Sequence, residues 1–279
     1  MTAQDRPERR QELGPEFRPE LRPEPKADGT VGKALAVMDL VAAFDRPVRF
    51  ADLLARSDQP KATLYRLLQT LVSQRMLAYD AGAQTYAPGL RLVRLAHAAW
   101  RQSALAPVAR PHLDRLSAEV GETVHLAQLD EGQVLYVDKR NARRPVAMFS
   151  EAGKIGPGYC TGVGKAMLAF LPDADRADAV AMQSFYPHTP ATLTDAAALS
   201  AELDAIRADG IAFDREEHEP GIICIAAPIL GPQGRVLGAV SITTTTRRTT
   251  LGDLAALRPA LQDTATRIAE AAETWQFPE

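Results

Sequence analysis

The run KATLYRLLQTL, residues 61–71, follows directly on Pro60 and organises the first third of the chain. Leu64, Leu67, Leu68 and Leu71 fall at the three-and-four spacing of one helical stripe, while Ala62, Tyr65, Arg66, Gln69 and Ser73 lie on the opposite side. Pro60 suits a first helical position, where the N–H it lacks would have no partner. The spacing predicts a helix from residue 60 to residue 73. Before it, a short helix is expected over 51–56 with Leu53 and Leu54 inward, and the turn 57–59 makes the pair a helix-turn-helix. Further upstream, Thr30 is a capping residue type ahead of Val31, Ala34, Leu35, Met38 and Val41, a helix that ends near Phe44. Downstream, residues 77–79 and 85–87 read as two short strands around the turn 80–84, the size of a wing.

Charge divides along the same lines. Residues 29–101 carry ten Lys or Arg against five Asp and no Glu, a balance of +5, whereas residues 102–279 carry sixteen basic and twenty-three acidic side chains, a balance of −7. A basic segment beside an acidic remainder fits a phosphate-binding unit joined to one that does not bind phosphate. The exposed side of the leucine-striped helix suits this, since Arg bonds bidentately to guanine and Gln to adenine in a major groove wide enough to admit a helix. Lys61, Ala62, Thr63, Tyr65, Arg66 and Gln69 are the candidate contacts to double-stranded DNA.

At 279 residues and 46% apolar content the chain suits two compact units. Residues 1–28 repeat Arg-Pro-Glu at Arg6, Arg18 and Arg22, have few apolar groups, and read as a disordered tail. No apolar run is long enough to span a membrane, and the first thirty residues lack a secretory pattern, so a cytoplasmic protein with no membrane partner is expected. Cys160 and Cys224 are the two cysteines and stand in no metal-ligand spacing, so no disulfide framework, metal site or cofactor is expected.

From residue 89 to about residue 101 another helical pattern precedes Pro107, a helix able to join two units. The pattern then becomes mixed α/β. A helix over 108–120 leads to strands over 124–129 and 133–138, a third strand near 145–149, a Gly-rich stretch over 153–164 and a helix to residue 171. A helix after Thr194 stops at Gly210. Strands follow over 211–213, 222–230 and 236–243, and a closing helix over 253–275 is bent at Pro259.

Two stretches of this second unit carry unusual residues. GPGYCTGVGKA, residues 156–166, runs glycines into a helix start, where unpaired N–H groups favour an anion; the same glycines also serve close packing. The stretch fails as a phosphate loop, lacking the first-glycine spacing and the hydroxyl after Lys165. DREEHEPGIICIAAPI, residues 214–229, packs acids and His218 ahead of an apolar strand containing Cys224. Cys224 is read either as a small, soft pocket wall or as an enzyme nucleophile with His218 as base.

Taken jointly, KATLYRLLQTL, CTGVGKAMLAFL (160–171), EEHEPGIICIAAPI (216–229) and GAVSIT (238–243) resemble the isocitrate lyase regulator (IclR) family of bacterial transcription factors, over residues 29–275. After the tail at 1–28, the resemblance implies an α+β chain: a winged helix-turn-helix over 29–90, a linker helix over 91–105 that helps pair subunits, and a GAF-like effector-binding domain over 106–279. It implies a regulator rather than an enzyme, a homodimer or homotetramer on operator DNA controlled by a small organic acid or aromatic compound; the pocket hydroxyls, Asp214 and the anion-ready helix start favour a carboxylate, a small organic or sugar acid. The implied effector pocket is lined by Met148, Gly162, Val163, Asp214, Cys224, Ser241 and Thr243. Two departures stand out. Asp58 and Gln59 replace a Gly-Leu turn, Asp58 being a residue type that tolerates a left-handed conformation. Tyr159 replaces a His at the expected pocket mouth.

Overall fold

The computed structural model describes residues 29–102 and 105–274, so the expected tail at 1–28 lies outside the described residues. Helix α1 (Gly29–Ala42) is followed by strand β1 (Val48–Arg49), α2 (Phe50–Arg56), α3 (Lys61–Ser73), β2 (Leu77–Asp80) and β3 (Thr85–Pro88). The leucine stripe decides the packing. Leu64, Leu67, Leu68 and Leu71 are buried with Val37 and Val41 of α1, Leu53 of α2, and Val48, Leu77 and Tyr86 of the small sheet. That sheet has the order β1-β3-β2 and is antiparallel throughout. Two-residue β1 shows no alternation, which is why its sequence gives no strand signal.

Details of the helix-turn-helix differ from the sequence reading. Pro60 is the extended residue before α3, not its first helical one. Asp58 is not among the residues with positive φ, so its tolerance for left-handed backbone is unused. The turn is tied instead by Ser57, whose Oγ accepts from the Gln59 N–H at 3.1 Å. In the wing, Asp80 Oδ1 accepts from the N–H groups of Gly82 (2.8 Å) and Ala83 (3.1 Å), an Asx-type turn that fixes the β2–β3 connection.

Helix α4 (Leu90–Gln102) leaves Leu90, Val93 and Leu95 exposed. Helix α5 (Leu105–Val120) already includes residues 105–107, ahead of the expected start at 108, and Leu105 and Ala106 are buried in the second unit's core. Then come β4 (Thr123–Asp130), β5 (Gln133–Arg140), β6 (Ile155–Gly156), α6 (Gly162–Leu168), α7 (Asp173–Ala181), α8 (Ala196–Asp209), β7 (Ala212–Arg215), β8 (Ile222–Leu230), β9 (Val236–Thr245), α9 (Leu251–Ala255) and α10 (Arg258–Thr274). The strands form one antiparallel sheet of order β6-β5-β4-β9-β8-β7.

Both faces of this sheet are covered, so its central strands read as nearly continuous apolar runs. On one face Val124, Leu126, Ile223, Ile225, Val240 and Ile242 pack against Leu113 and Leu116 of α5 and Leu261 and Ile268 of α10. On the other, Ala127, Ala226 and Ala239 pack against Val163, Ala166 and Met167 of α6 and Leu199 and Leu203 of α8. Small side chains on this second face let α6 approach closely. A Cβ on Gly162 would lie 2.4 Å from Cys224 Sγ, and one on Gly164 2.3 Å from the Gly158 carbonyl.

Two sequence expectations fail here. Residues 145–149 form no strand, because Phe149 N–H donates to Glu219 Oε1 (2.9 Å) and not to a ladder, and Pro145 has no N–H to give. The two-residue β6 pairs with β5 in its place. The closing helix is two, with Thr250 and Asp253 forming a capping box at the start of α9, and Pro259 sits in the first turn of α10 instead of bending one long helix. Among the described residues no helix is long and apolar enough to cross a membrane.

Candidate functional site

The opposite side of α3 from its leucine stripe is open. Lys61, Ala62, Tyr65, Arg66 and Gln69 are exposed and Thr63 is half-buried, so the six candidate residues share one helix and five share its outer face. The Tyr65 ring meets Phe50 edge-on at 6.1 Å. On the neighbouring wing Tyr79 and Tyr86 lie 4.8 Å apart. The Gln69 side chain stands by the Tyr86 hydroxyl and favours its ionised form, so helix and wing meet there. Burial is the main reason that hydroxyl is harder to ionise than usual.

In the second unit, a cavity of about 30 Å³ lies on the α6 face of the sheet. Gly162, Val163, Asp214, Cys224, Ser241 and Thr243 all line it. Met148 does not: it lies half-buried in the irregular segment 141–150. Sheet register explains the gathering, since Ser241 pairs with both His125 and Ala226, Cys224 with Asp214 and Thr243, and alternate residues share a face.

Sequence reasoning missed the residue at the centre of this site. His125 is buried on β4, with Nδ1 3.2 Å from Thr243 Oγ1 and 3.4 Å from Ser241 Oγ, and Nε2 2.9 Å from Ser150 Oγ. A lone His within an apolar strand was the available signal. Tyr136, Ser150, Thr161, His218, Glu219 and Ile222 complete the lining. Tyr159 is not at the mouth. It is wholly buried in the core beneath α6, donates its hydroxyl to the Tyr186 carbonyl at 2.6 Å and packs on Phe185.

Burial sets the charges. It pulls His125 down to about 3 and His218 to about 4, so both imidazoles are neutral at pH 7. Burial pushes Asp214 up to about 7, against the pull of the Glu217 N–H that donates to it at 2.8 Å. Glu219 is also raised by burial. The Cys224 thiol is pushed well up, by burial first and then by Asp214, while the Gly162 N–H points at its sulfur. An activated thiol needs a lowered pKa; burial raises this one, and Cys224 stands in the cavity wall.

Lys165, one turn along α6 from Gly162, is wholly buried and donates to Glu217, with Glu202 Oε1 at 3.3 Å. Arg215 also donates to Glu202 at 2.7 Å. A buried cation is tolerable when paired in this way. Lys165 thus pins α6 to the loop after β7, the loop whose backbone holds Asp214.

Two family models match the chain: "IclR helix-turn-helix domain" over residues 30–81 and "Bacterial transcriptional regulator IclR C-terminal" over residues 97–270. The probable transcriptional regulator SauR of Cupriavidus necator is 30% identical over 82% of this chain and 91% of its own. The crystal structure of Thermotoga maritima IclR superposes with a TM-score of 0.71 at 27% identity, covering 87% of this chain and 98% of that one. An IclR homologue of Microbacterium hydrocarbonoxydans, solved in complex with 4-hydroxybenzoate, shares the fold at a TM-score of 0.77 and 21% identity, over 88% of this chain and all of its own.

Proposed function

The chain belongs to the IclR family of bacterial transcription regulators, and from that premise we propose that α3 reads operator DNA under the control of a small acid bound beside His125. The observation that carries the effector half is the cavity itself. Polar groups from β4, β7, β8, β9 and α6 converge in it, yet its 30 Å³ or so is about the space of one water molecule. It is the closed form of a site that opens by moving the irregular segment 141–150, which contributes Ser150. Hydroxyls of Ser241 and Thr243, two neutral imidazoles and the half-protonated Asp214 supply donors for a carboxyl group and its neighbouring oxygens. The 4-hydroxybenzoate held by the Microbacterium homologue is of this class.

Domain limits of 29–90, 91–105 and 106–279 fit this division of labour. Lys61 and Thr63 meet phosphates while Ala62, Tyr65, Arg66 and Gln69 face the major groove. Val31 and Leu35 of α1 and Leu90, Val93 and Leu95 of α4 are exposed apolar groups, and their burial between subunits makes a homodimer or homotetramer in the cytoplasm. The effector shifts the protein between arrangements that differ in DNA affinity, by no more than its own differential affinity for them.

Melting of the full chain against a panel of small carboxylates tests the effector site. A ligand at a hundred times its Kd stabilises the folded state by about 2.7 kcal/mol, and Ser241→Ala with Cys224→Leu removes the shift. An unchanged shift in that double variant places the site elsewhere.

A further inference from the structure

The groove between α3 and the wing holds about 770 Å³ and is walled largely by aromatic side chains. Phe50, Ala62 and Tyr65 form one wall, and Tyr79 and Tyr86 the other. Tyr65 is 55% exposed and Tyr79 42%, so two rings stand in water on the face that carries Lys61 and Arg66. Arg49 and Lys61 also line the groove and place two cations beside an apolar slot. That combination matches the edge of a DNA duplex, with apolar contact inside and phosphates at the rim.

The chemistry narrows further along α3. Residues near the start of a recognition helix meet base edges, and here Ala62 and Tyr65, three apart, stand side by side on that turn. Neither can make the bidentate contacts that read guanine or adenine. Gln69, which could, lies two turns along α3 from Ala62, beside the Tyr86 hydroxyl. In the major groove thymine alone presents a methyl group.

We propose that Ala62 and Tyr65, with Phe50 buttressing the Tyr65 ring, form a slot that reads the 5-methyl group of a thymine in the operator. Tyr65 is thereby a specificity-determining residue, and Arg49 and Lys61 hold the flanking phosphates. This inference rests on the proposed DNA-reading role of α3.

Full-length protein is used to select duplexes from a random-sequence pool. The recovered duplex is then titrated by fluorescence anisotropy, intact and with each thymine replaced singly by deoxyuridine. At one or more positions uracil weakens binding about four-fold, the value of one buried carbon group. That loss persists in Tyr65→Phe, which keeps the ring, and vanishes in Tyr65→Ala. Equal binding of every uracil duplex overturns the proposal, as does a methyl dependence that survives in Tyr65→Ala. A Tyr65→Ala variant that weakens all duplexes alike would give the slot to the sugar-phosphate strand and overturn it too. A pool that yields no bound duplex overturns the DNA-reading role itself, and this inference with it.

Discussion

Ser150 Oγ lies 2.9 Å from Nε2 of His125, a hydrogen bond that ties the C-terminal end of the irregular segment 141–150 to β4 at the cavity's edge. Phe149 adds its N–H bond to Glu219 at 2.9 Å. The other end of the segment is held separately, by Ala142 N–H on Thr123 Oγ1 (3.3 Å) and Arg143 N–H on the Gly121 carbonyl (3.0 Å). Ser150→Ala is expected to cost about 1 kcal/mol, with amide exchange accelerating in residues 147–151 while β4 and β9 keep their protection. Uniform acceleration across the sheet would show that Ser150 supports the fold generally and not this segment.

Asp214 gives the cavity a pH signature. Its carboxyl ionises near 3.8 when unfolded and near 7 when folded. Between those values the folded chain holds a proton that the unfolded chain has released, so this group's contribution to stability is full below pH 3.8 or so and falls as pH rises towards 7. Asp214→Asn removes that dependence, while the opposite contribution of the depressed His125 and His218 stays in both proteins and cancels. The melting-temperature advantage of the wild type over the variant therefore shrinks as pH climbs through this window. A constant difference would mean that Asp214 titrates normally.

Lys165 and Glu217 are buried together, and removing one partner strands the other. Lys165→Met is expected to cost about 3–5 kcal/mol in denaturant unfolding, and Lys165→Met with Glu217→Leu substantially less. A double variant as unstable as the single one would show that the pair's geometry, and not its charge balance, holds α6 in place.

Gly162 owes its identity to Cys224, whose sulfur leaves no room for a Cβ. Gly162→Ala should destabilise by about 1–3 kcal/mol through overpacking, and adding Cys224→Ala should restore most of it. Strictly additive losses would deny the contact.

The sequence made the outer plan legible because periodicity reports it directly. The leucine stripe of α3 and the apolar run of β8 lie where their patterns place them. What escaped depends on partners distant in the chain. Residues 145–149 look like a strand until Glu219 takes the Phe149 N–H, and Thr30, a capping type, lies inside α1, which begins at Gly29. His125 was visible only as a lone His in an apolar strand, and its role was not, since Ser150, Ser241 and Thr243 reach it only through sheet register and a returning loop. Met148 was placed by resemblance alone and lies outside the cavity lining.

The proposed regulation depends on the side of α3 facing away from its leucines engaging duplex DNA. Fluorescence anisotropy of the full chain with duplexes from its own promoter region, across a salt series, measures this directly. Wild type should bind with affinity that falls steeply as salt rises, and replacing Arg66 and Gln69 together by Ala should abolish retention of the specific duplex. Undiminished, specific binding by that double variant would contradict the account.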